Sequence, residues 1–172
     1  MTGPSDDEKQ RIRAYLQSQG AKRTPAELVD KVREAMAELT RALHEVPSAR
    51  LNDRPAPEEW SAAEVMAHVI EAGRFFGGWI EAALDGRAEG PPATERRGEV
   101  PARSAEAWLA ELTRDREALF ARVLAADPGA RLEERIPHAW FGPLSWRSAL
   151  LFCRIHDLDH AGQLAKNAVA LR

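Results

Sequence analysis

The stretch Trp60-Ser61-Ala62-Ala63-Glu64-Val65 marks a helix start more clearly than any other part of the chain. Ser61 and Glu64 have the spacing of a capping box, and Trp60 can close on Val65 as a hydrophobic staple. Beyond this start, Val65, His68, Ala72, Phe75 and Trp79 recur on one helical face, which is expected to point into the core. A second apolar stripe, Met66, Ile70, Ile80 and Leu84, lies opposite, with Gly73 and Gly77 along it. Glycines four apart weaken a helix, so another backbone is expected to approach closely there. A second copy of the chain, making a homodimer, and the N-terminal segment of the same chain are the two candidates.

Three more segments carry their own start signals. Thr24-Pro25-Ala26-Glu27 combines a Thr N-cap, Pro at the first helical position and a capping-box Glu, ahead of the stripe Leu28, Val32, Leu39, Leu43. Ser104 opens a helix bearing Trp108, Leu112, Leu119 and Val123, which Asp127-Pro128-Gly129 ends. Ser145 starts the last, running towards the C-terminus. A single Tyr, few β-branched runs and no alternating pattern leave no strand signal, so the fold is read as all-α. A shorter amphipathic piece before Gly20, with Ile12, Tyr15 and Leu16, is an appended helix. The chain thus divides into an N-terminal extension, residues 1–23, and a four-helix bundle, residues 24–172. Between the second and third bundle helices, Asp85 to Arg103 holds Gly86, Gly90, Pro91, Pro92, Gly98 and Pro101 and is not helical. A helix of about 24 residues is about 36 Å long, and this linker, at about 3.3 Å per residue, can run back along it. That gives an up-down-down-up bundle; a loop that merely wanders over the surface is the other reading.

Composition narrows the partners. The 172 residues hold 24 Lys+Arg against 27 Asp+Glu, a net charge of −3, with both signs interspersed. No basic patch for nucleic acid or an anionic membrane surface follows from that balance. One Cys, no signal-like N-terminus and no membrane-length apolar run lead to the expectation of a cytoplasmic, reducing setting.

The chemistry sits in the histidines. His156 and His160, four apart, stack on one helical face together with Ala149, Cys153, Gln163 and Asn167, and His68 is expected to face inward from another helix. Three inward imidazoles on facing helices suit a first-row divalent ion with coordination positions left open for water or substrate. The plainer alternative is a hydrogen-bonded core histidine beside a solvent-exposed pair. His138, in the loop Ile136 to Leu144, is either a gate, an extra ligand or only a loop residue, and His44 is expected to face solvent. Cys153 is either a thiol near the metal or a small buried filler. Asp157 and Asp159 fall at the two edges of the His face, where either can orient a ligand or act as a base, although exposed helix carboxylates are the commoner outcome.

These motifs resemble the DinB-like superfamily of bacterial four-helix bundles, in particular its YfiT-like metal-dependent hydrolases. The resemblance spans residues 24 to 172 and rests on Glu59-Trp60-Ser61-Ala62-Ala63-Glu64 leading to His68, and on Phe141-Gly142-Pro143-Leu144-Ser145 leading to His156-Asp157-Leu158-Asp159-His160 and Gln163. It implies an up-down-down-up bundle and one divalent ion, Zn or Ni, held by His68, His156 and His160. It also implies a small-molecule substrate and either hydrolysis or transfer involving a low-molecular-weight thiol; it assigns no role to Asp157 or Asp159. A metal activates a bound water or thiol by lowering its pKa, which is the chemistry expected of an open site. Two non-enzymatic readings stand beside it: a metal- or ligand-binding bundle in stress response, and a metal-free interaction module using the Gly73 and Gly77 face.

Overall fold

The computed structural model describes residues 5–87, 89–92 and 99–172. Among these residues there are five α-helices and no strand: α1 (Asp6–Lys22), α2 (Pro25–Glu45), α3 (Ala62–Leu84), α4 (Ala105–Leu124) and α5 (Trp146–Ala170). All three bundle starts that combine a cap with a later Glu or Ser are built as their residues dictate. At α2, Thr24 N donates to Glu27 Oε2 at 2.7 Å and Glu27 N to Thr24 Oγ1 at 3.2 Å; at α3, Ser61 N donates to Glu64 Oε2 at 2.8 Å and Glu64 N to Ser61 Oγ at 3.2 Å. Ser145 caps α5 by accepting from Ser148 N at 3.3 Å. Each cap satisfies backbone N–H groups that the first turn leaves without partners.

The core is continuous across the helices. Leu28, Val32, Leu39 and Leu43 of α2 are sealed in it, as are Trp108, Leu112, Leu119 and Val123 of α4. α5 packs on α1, α2 and α3, while α4 packs on α3 and α2. A helix surrounded in this way is buried on several faces, which is why the face around His156 and His160 shows no single apolar seam in the sequence.

Cross-helix pairs give the register. Arg147 of α5 reaches the carbonyl of Arg23 just before α2, and Arg50 Nη1 just after α2 donates to Leu171 O at 3.0 Å. Between α3 and α5 the order reverses: Trp60 O accepts from Asn167 Nδ2 at 2.9 Å, while the Phe76 and Phe152 rings meet at 4.9 Å. Between α3 and α4 it runs forward again, from Arg74 with Asp115 at 2.7 Å to Asp85 with Arg122 at 2.5 Å. The linker after α3 turns at Gly86, whose φ of +68° suits a residue without Cβ. It lies against Trp79 at Gly90 and against Gly78 at Pro91, and residues 99–101 border Ala67 and Ile70, so its described parts run back along α3. Gly98 falls outside the described residues.

Three expectations about faces are corrected. The stripe Met66, Ile70, Ile80, Leu84 is the fully buried face of α3; of the face expected inside, Val65 is buried as well, whereas His68, Ala72, Phe75 and Trp79 are only half-buried. Both stripes are apolar, and only the position of α4 decides between them. The close approach at Gly73 and Gly77 comes from α4, not from the N-terminal segment: a Cβ on Gly73 would lie 3.1 Å from Arg116 Nη1, and one on Gly77 3.5 Å from Leu119 Cδ2. Finally, α1 continues through Gly20 to Lys22. Gly20 is there for contact, since a Cβ would sit 2.7 Å from Ser148 Oγ, a hydroxyl that donates to Leu16 O at 3.1 Å.

The two helical glycines Gly73 and Gly162 are predicted to respond oppositely to alanine. Gly162→Ala meets nothing within 4 Å and gains helix propensity, a stabilisation of up to about 1 kcal/mol. Gly73→Ala crowds the Arg116 guanidinium and is expected to cost about 1–3 kcal/mol. Urea midpoints of the two variants against the parent check both signs.

Candidate metal centre

The α3 to α5 pairing sets the three histidines face to face. His68 comes from the second turn of α3, and His156 and His160 are successive turns of α5. One ring nitrogen from each lies within 4.8 Å of the others, and among the described residues these three alone form such a group of possible ligands. Ring centroids are 5.1 Å apart for His68 and His156, 4.9 Å for His68 and His160, and 4.5 Å for His156 and His160. His68 Nε2 and His156 Nε2 stand at 3.1 Å. Two imidazole nitrogens so close share either a proton or a cation. Tetrahedral coordination with Zn–N of about 2.0–2.1 Å requires nitrogens about 3.3 Å apart, close to the His68–His156 separation, and the donor set reaches a first-row divalent ion once the three nitrogens, now within 4.8 Å of one another, draw in to that spacing.

The surroundings hold the rings in ligand form. His160 Nδ1 pairs with Gln163 Oε1 at 3.0 Å, which makes Nδ1 the donor and turns Nε2 towards the centre. Burial lowers the His160 pKa, the neighbouring His156 adds to the effect, and Gln163 opposes it; the neutral imidazole is the species that binds metal. Trp60 covers the cluster, with its ring 5.0 Å from His68 and stacked 6.3 Å from His160.

The other singled-out residues separate. Asp157 is fully buried, and both its oxygens receive Arg116 Nη2, at 2.9 and 3.2 Å. Its Oδ1 lies 3.7 Å from His156 Nδ1. Asp159 is exposed. Cys153 is buried with Sγ 3.6 Å from Ala149 O, and burial raises its pKa and keeps it a thiol although Arg116 is near. His44 faces solvent as expected.

His138 is held beside the site by its loop. Ile136 and Leu144 exchange backbone bonds of 2.8 and 2.9 Å, and Gly142, at φ +66°, closes the turn onto His138 O at 3.1 Å. His138 Nδ1 accepts from the backbone N–H of Trp140 and Phe141, at 3.2 and 3.3 Å. The ring stacks on Phe76 and Phe141 and meets the edge of Phe152, which itself lies 5.8 Å from His156. Burial, helped by His156, pushes the His138 pKa down to about 4.

Two features escaped the sequence reading. Arg116 occupies the apolar stripe between Leu112 and Leu119, and a charged residue at a core position of that stripe was the available signal. It is 2% exposed, and breaking such a buried pair from one side costs about 3–5 kcal/mol. The aromatic group Phe76, Phe141 and Phe152 joins a helix, a loop and another helix, and no local spacing announces it.

The chain belongs to the DinB superfamily, whose family model matches residues 28–164. A crystal structure of a conserved protein from Enterococcus faecalis is similar in fold, with a TM-score of 0.61 and 17% identity over 85% of this chain and 95% of that one. No curated protein matches the sequence. No helix among the described residues is long and apolar enough to cross a membrane.

His138 ties stability to pH. Its ordinary pKa of 6.5 falls to about 4 on folding, so the unfolded chain takes up a proton first as the pH drops. The stabilisation from keeping this ring neutral is complete above pH 6.5 and is lost progressively towards pH 4. His138→Phe is expected to be less stable at pH 7.5, having lost two backbone bonds, and to show a shallower decline between pH 6.5 and 4.5. Urea titrations of both proteins at the three pH values check the slope.

Proposed function

We propose that the chain is a divalent-metal enzyme in which His68, His156 and His160 hold one Zn or Ni ion. The carrying observation is the convergence of one nitrogen from each ring, with His68 and His156 at 3.1 Å. The bound ion would supply an acidified water or thiol to a substrate at its open position. Hydrolysis of a small molecule in the manner of the YfiT-like branch, or transfer involving a low-molecular-weight thiol, are the reactions this reading covers.

The protein's own groups support a site with room for substrate. His138 and Cys153 lie outside the group of converging ligands, with Nδ1 of His138 and Sγ of Cys153 turned to backbone atoms. An open coordination position is what separates a catalytic from a structural ion. Trp60 rests on His68 and His160, and Phe152, 5.8 Å from His156, carries the ring group of Phe76, His138 and Phe141 on that side. These rings would exclude water and take the apolar part of a small substrate. Of the two carboxylates considered as bases, Asp159 is in contact with solvent, whereas Asp157 is sealed under Arg116. The register of α2 with α5, α3 with α5 and α3 with α4 supports an up-down-down-up order for the four bundle helices. A cytoplasmic setting belongs to the same proposal.

Untagged protein purified without chelator is expected to carry close to one equivalent of Zn or Ni by mass spectrometry of the elements. His68→Ala and the double variant His156→Ala/His160→Ala should lose it while remaining helical. Protein that arrives empty and takes up no first-row divalent ion would overturn the proposal and favour a metal-free interaction module.

A further inference from the structure

We infer that Arg116 is a positioning residue of the metal centre: reaching across from α4, it fixes the Asp157 carboxylate beside Nδ1 of His156, so that Nε2 of that ring is presented to the ion. The inference rests on the three-histidine reading above.

Arg116 lies between three helices. It starts on α4, passes over Gly73 of α3, where a Cβ would meet its guanidinium at 3.1 Å, and ends on Asp157 of α5. A glycine at residue 73 is what leaves space for the crossing. Only Nη2 engages the carboxylate; Nε and Nη1 are buried without a hydrogen bond among the described residues, and the buried Cys153 thiol is the guanidinium's other polar neighbour. A pair that takes two charges out of water and satisfies so few of their donors is a poor means of stabilising a core, because well-packed apolar residues do as well or better. The geometry gives it another use. With Arg116 on Asp157, the carboxylate is pinned with Oδ1 3.7 Å from His156 Nδ1. That is longer than a hydrogen bond, yet it fixes an acceptor on the Nδ1 side of the ring and leaves Nε2 on the side of the centre. Nε2 is the atom that faces His68 at 3.1 Å.

His160 provides an internal parallel. Its Nδ1 has Gln163 Oε1 at 3.0 Å, from the next turn of its own helix. His156 has no such residue in the equivalent place: position 159, three residues on, is an exposed Asp. The orienting group for His156 comes instead from the adjacent residue, held by a side chain from another helix. Asp157 points away from the centre of the His face, and Arg116 fastens it.

The test loads Co2+ into the full chain and reads its affinity, by chelator competition, together with its d–d absorption spectrum. Three variants are compared with the parent: Arg116→Lys, Arg116→Met, and the double Arg116→Met/Asp157→Leu, which removes both charges and refills the space so that the fold survives. Circular dichroism establishes helicity for each. The double variant, folded, is expected to bind Co2+ about 10–100-fold more weakly with an altered spectrum. Arg116→Lys, which keeps a cation on the carboxylate, should recover part of the affinity where Arg116→Met does not. A folded double variant with parental affinity and spectrum would overturn the inference and leave the metal centre standing. A parent chain that fails to bind Co2+ would overturn the centre itself, and this inference with it.

Discussion

Everything proposed for this protein depends on the register between α3 and α5. The two helices cross so that one residue of α3, His68, faces two successive turns of α5, His156 and His160. Trp60 and Asn167 tie one end of this contact and Phe76 and Phe152 the other. A slip of one residue in either helix rotates its side chains by about 100° and disperses the nitrogens. The capping box at Ser61 and the Ser145 cap are therefore part of the site's construction, because they fix where each helix begins.

The rest of the bundle serves this crossing. α2 and α1 pack on α5, and α4 packs on α3, whose Met66 to Leu84 stripe is buried. The opposite face of α3, with His68, Phe75 and Trp79, is then left half-buried. Burying one apolar stripe and leaving the other partly uncovered is how a helix with two such stripes contributes to the core and still presents His68 to α5. The two glycines on the buried stripe allow α4 to come close, and Arg116 uses that closeness to reach α5.

Much of this was legible in the sequence because its signals are local. Thr24, Ser61, Ser104 and Ser145 announce helices through bonds made within three residues, and the 3.6-residue period displays the α2 and α4 core faces directly. His156 and His160 share a face by spacing alone, and His68 could be placed near them only by supposing that α3 faces α5. What was not legible depended on which helix packs where. Choosing between the two stripes of α3 required the position of α4. Gly20 read as a helix end because a glycine's close contact and its role as a stop look alike in sequence. Asp157 read as a carboxylate at the edge of the His face, and only its meeting with Arg116 across the helices takes both charges out of water.

The central claim is that the ion is held by three imidazoles and no other protein atom. X-ray absorption at the metal edge of the loaded protein tests it most directly. The account predicts three histidine nitrogens at about 2.0–2.1 Å, with imidazole multiple scattering, and a light, exchangeable scatterer in the remaining position. A sulfur at about 2.3 Å, or a shell without imidazole scattering, would contradict it.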